Sequence, residues 1–510
     1  MALVNKIDSN ITGLRYAEES AVPKTLPGSP VWWPLEPNSY NDFGGNLTTT
    51  ARTPISDDRQ RKKGVITDLD AQGGFNSDLT FNNLQDIMQG FMFADFRQKP
   101  TVGGYGLDVF TSVANADSSY NAASGLDVFA AGDLVFASGF ATASNNGLHE
   151  VATAAAGKIT VAETLVNEAN PASGAKLVKV GVQGGTGDFD VDASGDLPKI
   201  TSTVYDFTDL GLIPGEWIFV GGDTAGTKFG TAANNGWKRV KAVLAGSLEL
   251  DKSDTTMVTE ANTTSDVRIF IGRLLINETG TLIKRRTYHL ERTLGAPETS
   301  APNDVQVEYL TGAVPNELVL NFATAEKLTM DLSFIAMDHE LRDRTVGVKA
   351  GARPSLTDTD AYNTSNDISR VKMSIVDAAS ANPSPLFAYI TEATVTLANN
   401  VSPNKVIGTI GASDMTAGNF DVSGTMTAYF VETDALQAVR DNSSVTVDFI
   451  LAKENKGIVI DMPLITLGEG RATLEQDQPI TLPLNFDGAK GPQGYTVSWG
   501  FFDYLPAAAF

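Results

Sequence analysis

The stretch "KKGVITDLDAQGGFNSDLTFNNLQDIMQGFMFADF" (Lys62–Phe96) carries two periodicities in succession. From Gly64 it alternates, with Val65, Thr67 and Leu69 on one face and Ile66, Asp68 and Asp70 on the other, which is the period of a strand. From Asn82 the apolar residues Leu84, Ile87, Met88 and Phe91 fall on one side at helical spacing. Asn82 as N-cap with Gln85 three residues on makes a capping box. The apolar stripe reads as ordinary core. The order of strand, Asp-rich turn, Gly-Phe strand and helix recurs loosely at Ser413–Arg440, where "ETDALQAVRD" (432–441) forms a short helix with Leu436 and Val439 inward. A tandem β unit with a flanking helix is the expectation.

Between the halves, from about Thr101 to Ile276, the texture changes to Gly, Ala, Asn and Thr with short alternating runs. Here "NNGLHEVATAAAGKITV" (Asn145–Val161) and "NNGWKRVKAVLAGSLEL" (Asn234–Leu250) repeat one small unit. Each is led by a Gly-acid-apolar-apolar-Phe strand at Gly132 or Gly215, and each closes with a strand at Lys176–Gly181 or Val267–Gly272. Asn-Asn-Gly suits a turn needing positive φ. Two small β modules inserted in tandem are expected, independent enough to be dispensable for the remainder of the chain.

The 510 residues are 42% hydrophobic and 19% charged, enough to bury several cores. The absence of cysteine excludes a disulfide framework, a thiolate metal site and a cysteine nucleophile. The start "MALVNKIDSN" has no basic region followed by an apolar run, so no secretory signal is expected, and no apolar stretch approaches a membrane span. A net charge of -23 gives no overall basic footprint for nucleic acid.

No group of residues has the spacing of a catalytic site. His149, His289 and His339 are scattered, with no second ligand at metal spacing. "GGDTAGTKFG" (Gly221–Gly230) resembles a phosphate loop superficially, but Thr227 separates Gly226 from Lys228 and no helix follows. "DFDVDASGD" (Asp188–Asp196) has the alternating carboxylates that suit Ca²⁺. It lacks the sixth-position glycine and closing glutamate of an EF-hand, so an exposed acidic turn is the plainer reading. "RQRKK" (Arg59, Arg61, Lys62 and Lys63 with Gln60) is either a solvated loop or an electrostatic contact with a neighbouring copy. The Pro/Gly-rich stretch Gly13–Gly45 suits an extended arm. Its Trp32 and Trp33 anchor either in a neighbour's groove or in the core of the same subunit.

The N-terminal stretch, the strand after Lys62 and its helix, and the long strands from about Ile276 to Phe510 resemble the major tail tube proteins of long-tailed, siphovirus-type bacteriophages. The resemblance implies a mainly β fold, a tail-tube-type β-sandwich or barrel with a flanking helix. It also implies a structural virion protein with no enzyme activity and no cofactor. Such a protein is made in the bacterial host cytoplasm, self-assembles into stacked rings in the tail, and meets tail terminator and tail-tip proteins. DNA passes through the channel without specific binding, and no membrane is involved.

On that basis the expected domains are 1–100 with 277–345 as a first tube domain, 101–190 and 191–276 as inserted modules, and 346–510 as a second tube-like domain. Two tube domains per chain favour homotrimeric rings with pseudo-sixfold symmetry, hexameric rings being the alternative. The acidic balance predicts a negatively charged channel for DNA ejection, with Asp68 and Asp70 as lumen carboxylates. The rival class is a secreted, surface-layer or adhesin-type β protein, Ca²⁺-binding through its acidic turns.

Overall fold

Period-2 patterning dominates the chain, and two large antiparallel sheets hold almost every strand. The structure, a computed structural model, describes residue 7 and residues 12–55, 57, 60–296, 305–343, 345–357, 359–387 and 389–510, apart from the side chains of Leu84 and Gln85.

The larger sheet contains two sets of strands in one and the same order. In the first, Gly13–Glu18 pairs with Tyr288–Gly295, followed by Gln306–Ala323, Thr329–Ala336, Lys62–Asp78 and Pro37–Arg52. In the second, Ile368–Ile375 pairs with Val445–Lys453, followed by Lys456–Glu469, Thr481–Gly488, Asp421–Tyr429 and Ile390–Ala398. Each set adds a short strand, Asp338–Arg342 or Ser498–Phe502, against the early part of its third strand. The register repeats too: Gly73 faces Phe334 as Gly424 faces Phe486. A Cβ on Gly424 would lie 2.2 Å from the Phe486 ring, so only glycine lets that ring cross the strand. The two sets are fused where Glu317–Ala323 pairs with Glu392–Ala398, and one continuous apolar core runs beneath both.

Each set has one α-helix, Phe81–Met92 or Asp434–Arg440, after the corresponding strand. The first helix is capped by Thr80, not by Asn82. The Thr80 hydroxyl accepts from the Asn83 N–H, and the Asn83 side chain accepts from the Thr80 N–H. Thr80 is the last extended residue, so the cap falls two positions before the one that periodicity suggested. Ile87, Met88 and Phe91 are buried as expected. In the second helix Ala435 and Ala438 are the buried residues, with Leu436 and Val439 partly buried against the core. The strand alternation also holds only from Leu69 onward. Nearer the tip of the Pro37–Arg52/Lys62–Asp78 hairpin, Val65 and Ile66 are 54% and 50% exposed, because there the hairpin has no sheet to lie on.

The strands from Thr101 to Ile271 make the second large sheet, and its two repeat units are not separate beads. Lys176–Gln183 of the first pairs with Arg268–Ile271 of the second, Gly181 facing Phe270. A Cβ on Gly181 would lie 2.3 Å from the Ile269 carbonyl oxygen, which fixes glycine at this crossing. Pairing the closing strands of two copies covers an edge that either copy alone would leave bare. The Asn-Asn-Gly motif ties each unit's loop. Asn146 and Asn235 each bridge the backbone N–H and C=O of Phe140 or Phe229. Asn145 and Asn234, fully buried, donate to Glu168 and Glu260, which also accept loop N–H groups.

The insertion is welded to the second strand set. Trp217, Phe219, Trp237 and Phe270 pack on Ile450, Val459, Phe502 and Leu505 in one buried cluster, Trp237 meeting Phe502 edge to face at 5.1 Å. Beside it lies a buried charge network. Arg239 reaches Asp461 at 3.0 Å, Lys252 reaches Asp448 at 2.8 Å and Asp461 at 3.0 Å, and Arg370 reaches back to Asp254 at 2.6 Å. Burial alone would raise Asp448, but Lys252 and Arg370 overrule it and hold the carboxyl down at about 2. The stabilisation from Asp448 is therefore complete above the unfolded carboxylate range near pH 4 and is lost as pH falls toward 2. This join runs against independent, dispensable modules, since removing residues 101–271 would take both cations from Asp461 and leave Asp448 with Arg370 alone. Asp461→Ala, which leaves Arg239 and Lys252 buried with less compensation, is expected to lower stability by about 3–5 kcal/mol. Denaturant unfolding would read this as a lower midpoint, and an unchanged midpoint would mean that the network does not join the two parts.

Candidate functional site

The strands that fuse the two sets share one face opposite the core, and its side chains can be read off the register. One row runs Asp487, Ser423, Thr396, Val319, Asp331, Asn76 and Ser39, each directly opposite the next. The adjacent row runs Asn485, Thr425, Thr394, Asn321, Thr329 and Asp78. Glu317, Glu392 and Asp421 stand on the same face in the flanking rows. The seven strand segments 37–51, 64–78, 314–323, 329–336, 390–398, 421–429 and 481–488 contain no Lys or Arg at all.

What holds this face in shape is a lattice of short polar contacts. Asp331 accepts from Asn76 at 2.9 Å and from Asn321 at 3.0 Å, tying three strands together. Thr394 and Thr425 share a hydroxyl bond of 2.8 Å, and the Thr427 hydroxyl donates to Glu392 at 2.9 Å. Glu317, Glu392 and Asp487 are exposed. A surface of carboxylates, amides and hydroxyls repels a polyanion and offers it only weak, water-exchangeable contacts.

Asp68 and Asp70 lie at the hairpin end of this face, where Lys405 from a loop of the second set pairs with both, at 2.6 Å from Asp70. The Lys405 hydrogen bond holds Asp68 below the usual carboxylate range. At the opposite end Asp78 is paired with Lys327 at 2.8 Å. Both lysines are in loops at the ends of the strands, so among the described residues the middle of the face stays free of cations. Reading Lys62–Asp78 alone finds Asp68 and Asp70 and misses Glu317, Asp331, Glu392, Asp421 and Asp487. The lack of Lys and Arg shared by seven strand segments is the signal that joins them.

The other candidate residues are dispersed. Arg61, Lys62 and Lys63 are exposed at the hairpin tip, and Arg59 lies outside the described residues. Trp32 is fully buried within its own chain. It donates from Nε1 to the Ala350 carbonyl at 3.0 Å, with Arg353 stacked over its ring. Trp33 is half-buried and meets Tyr105 of the insertion at 5.1 Å. The histidines each face a glutamate distant in sequence: His149 to Glu163 at 3.5 Å, His289 to Glu19 at 2.7 Å and His339 to Glu308 at 2.9 Å. Within 188–196 the residues Asp190–Asp192 form a paired strand and not the expected turn; Asp188 accepts from Ser202, Asp190 from the Asn262 N–H, and Asp192 from Ser194. Gly221–Gly230 folds as a turn around a single 3₁₀ segment, Ala225–Thr227. Among the described residues no three His, Asp or Glu side chains cluster as a metal site, and no helix is long and apolar enough to cross a membrane.

The family model described as phage tail tube protein matches residues 9–488 of the chain. No curated protein matches it.

The electrostatic character of the face has a direct test. The variant Glu317→Lys/Glu392→Lys/Asp487→Lys is expected to retain duplex DNA at low salt where the native protein does not. Its affinity should fall by roughly 40-fold between 50 and 200 mM salt, as three new phosphate contacts require. Equal retention by the two proteins would show that charge on this face does not govern contact with DNA.

Proposed function

The chain belongs to the phage tail tube protein family, a structural component of the virion tail, and from that premise we propose that three copies close into a ring around a DNA channel. The observation that carries the reading is the duplicated strand order. Each chain brings two equivalent strand sets already fused side by side, so three chains supply a ring of six with pseudo-sixfold symmetry. Rings stack into the tube, and its two ends meet terminator and tip proteins.

The cation-free face lines the channel. Duplex DNA carries about one negative charge per 1.7 Å of axis, and a wall of Lys or Arg would bind it at every step. A wall of carboxylates and hydroxyls keeps the duplex in water and counterions, with repulsion fading over about 8 Å at physiological salt. Asp68 and Asp70 form the part of that lining nearest the hairpin, partly neutralised by Lys405. The projecting hairpin, with Arg61, Lys62 and Lys63 near its tip, reaches toward a neighbouring copy in the stack. The insertion rides mainly on the second strand set and stands on the outer wall.

Electron microscopy of assembled rings viewed down the axis provides the test. Three insertion densities per level are expected; six per level would replace the trimer by a hexamer.

A further inference from the structure

Among the strand edges that lack a strand partner in the described residues are the side of Pro37–Arg52 facing away from Lys62–Asp78 and the outer side of the segment that follows Glu469. In the duplicated order these edges correspond to Ile390–Ala398 and to Glu317–Ala323, the two stretches that pair within the chain. We propose that residues 469–475 of one copy pair antiparallel with residues 39–46 of a second copy, in the register of that internal seam. The proposal rests on the ring reading above and deepens it to named residue pairs.

The register follows from equivalent positions. Thr329 opens its strand opposite Asn321, and Thr481 opens the equivalent strand opposite Thr473, so Thr473 stands where Asn321 does. On the other strand, Asn41 faces Gly74 next to the Tyr40–Phe75 pair, as Thr394 faces Thr425 next to Ala393–Met426. Within the chain Asn321 faces Thr394 and Phe322 faces Ala393. Between copies, Thr473 therefore faces Asn41, and Leu474 faces Tyr40.

Burial points to the same occupant. Phe322 is 6% exposed, covered at the internal seam and stacked on Phe449 at 4.9 Å. Its equivalent Leu474 is 72% exposed in the single chain. An aliphatic side chain at a core-facing position of an open strand edge needs a cover. A second copy's Tyr40, itself half-buried against the core with Arg292 stacked over its ring, supplies one of the right shape. Beyond Glu469 the segment keeps only the Thr473–Thr481 bridge, so pairing on its outer side would complete it as a strand.

The chain has no cysteine, so introduced pairs report cleanly. Directly opposed strand residues place their Cα atoms about 4.5–5.5 Å apart, within disulfide range, and adjacent pairs alternate between hydrogen-bonded and non-hydrogen-bonded sites. The variants Asn41→Cys/Thr473→Cys and Tyr40→Cys/Leu474→Cys test one site of each kind. At least one is expected to convert assembled rings into covalent trimers on a non-reducing gel, while Asn41→Cys/Asp477→Cys does not. Leu474→Asp, at a side chain that is 72% exposed in the single chain, should raise the concentration needed for ring formation at least about tenfold. Rings that form without either cross-link, and tolerate Leu474→Asp, would overturn this register and leave the ring reading standing. Native protein that forms no rings would overturn both.

Discussion

The pairing of Glu317–Ala323 with Glu392–Ala398 is the constraint on which the rest of the molecule depends. It joins two strand sets of identical order into one sheet, and thereby aligns their core faces over one apolar cluster and their polar faces into one surface. Because strand side chains alternate with period 2, a slip of one residue at this seam would turn the polar-face carboxylates of one set toward the core. Gly73 and Gly424, each directly opposite a phenylalanine of the next strand, mark the same register in both sets.

The inserted sheet repeats the principle on a smaller scale. Two similar units cover each other's closing strand, with Gly181 at the crossing, and their Asn-Asn-Gly loops are tied by buried asparagines and a glutamate. Nothing in those motifs needs to react. The join to the second strand set uses both kinds of burial, an aromatic cluster and a network of four or more charges, and the second makes it intolerant of partial removal. An insertion held this firmly is a fixed part of the strand set on which it rides.

Much of this was legible in the sequence. Alternation and helical spacing in Lys62–Phe96 gave the strand and helix, and their loose recurrence at Ser413–Arg440 pointed to the duplication, although the expected Asp-rich turn is part of one continuous strand, Lys62–Asp78. The helix cap was misplaced because periodicity locates apolar faces, while a cap depends on where the chain leaves the extended region, here at Thr80. The join between insertion and sheet could not be read, since Arg239 and Asp461 lie 222 positions apart and a single sequence gives no sign of their meeting. The polar face was half legible. Asp68 and Asp70 stand out locally, but the face becomes visible only when strands from both ends of the chain are set side by side and their shared lack of Lys and Arg is noticed.

On the proposed reading, that shared lack serves the passage of DNA, and the radial direction of the face is the quantity that matters most. A map of the assembled tube at side-chain resolution measures it. Glu317, Glu392 and Asp487 are expected on the lumen wall, with the Thr101–Ile271 sheet outside. Those carboxylates on the outer surface, or a lumen lined by Lys and Arg from other segments, would contradict it.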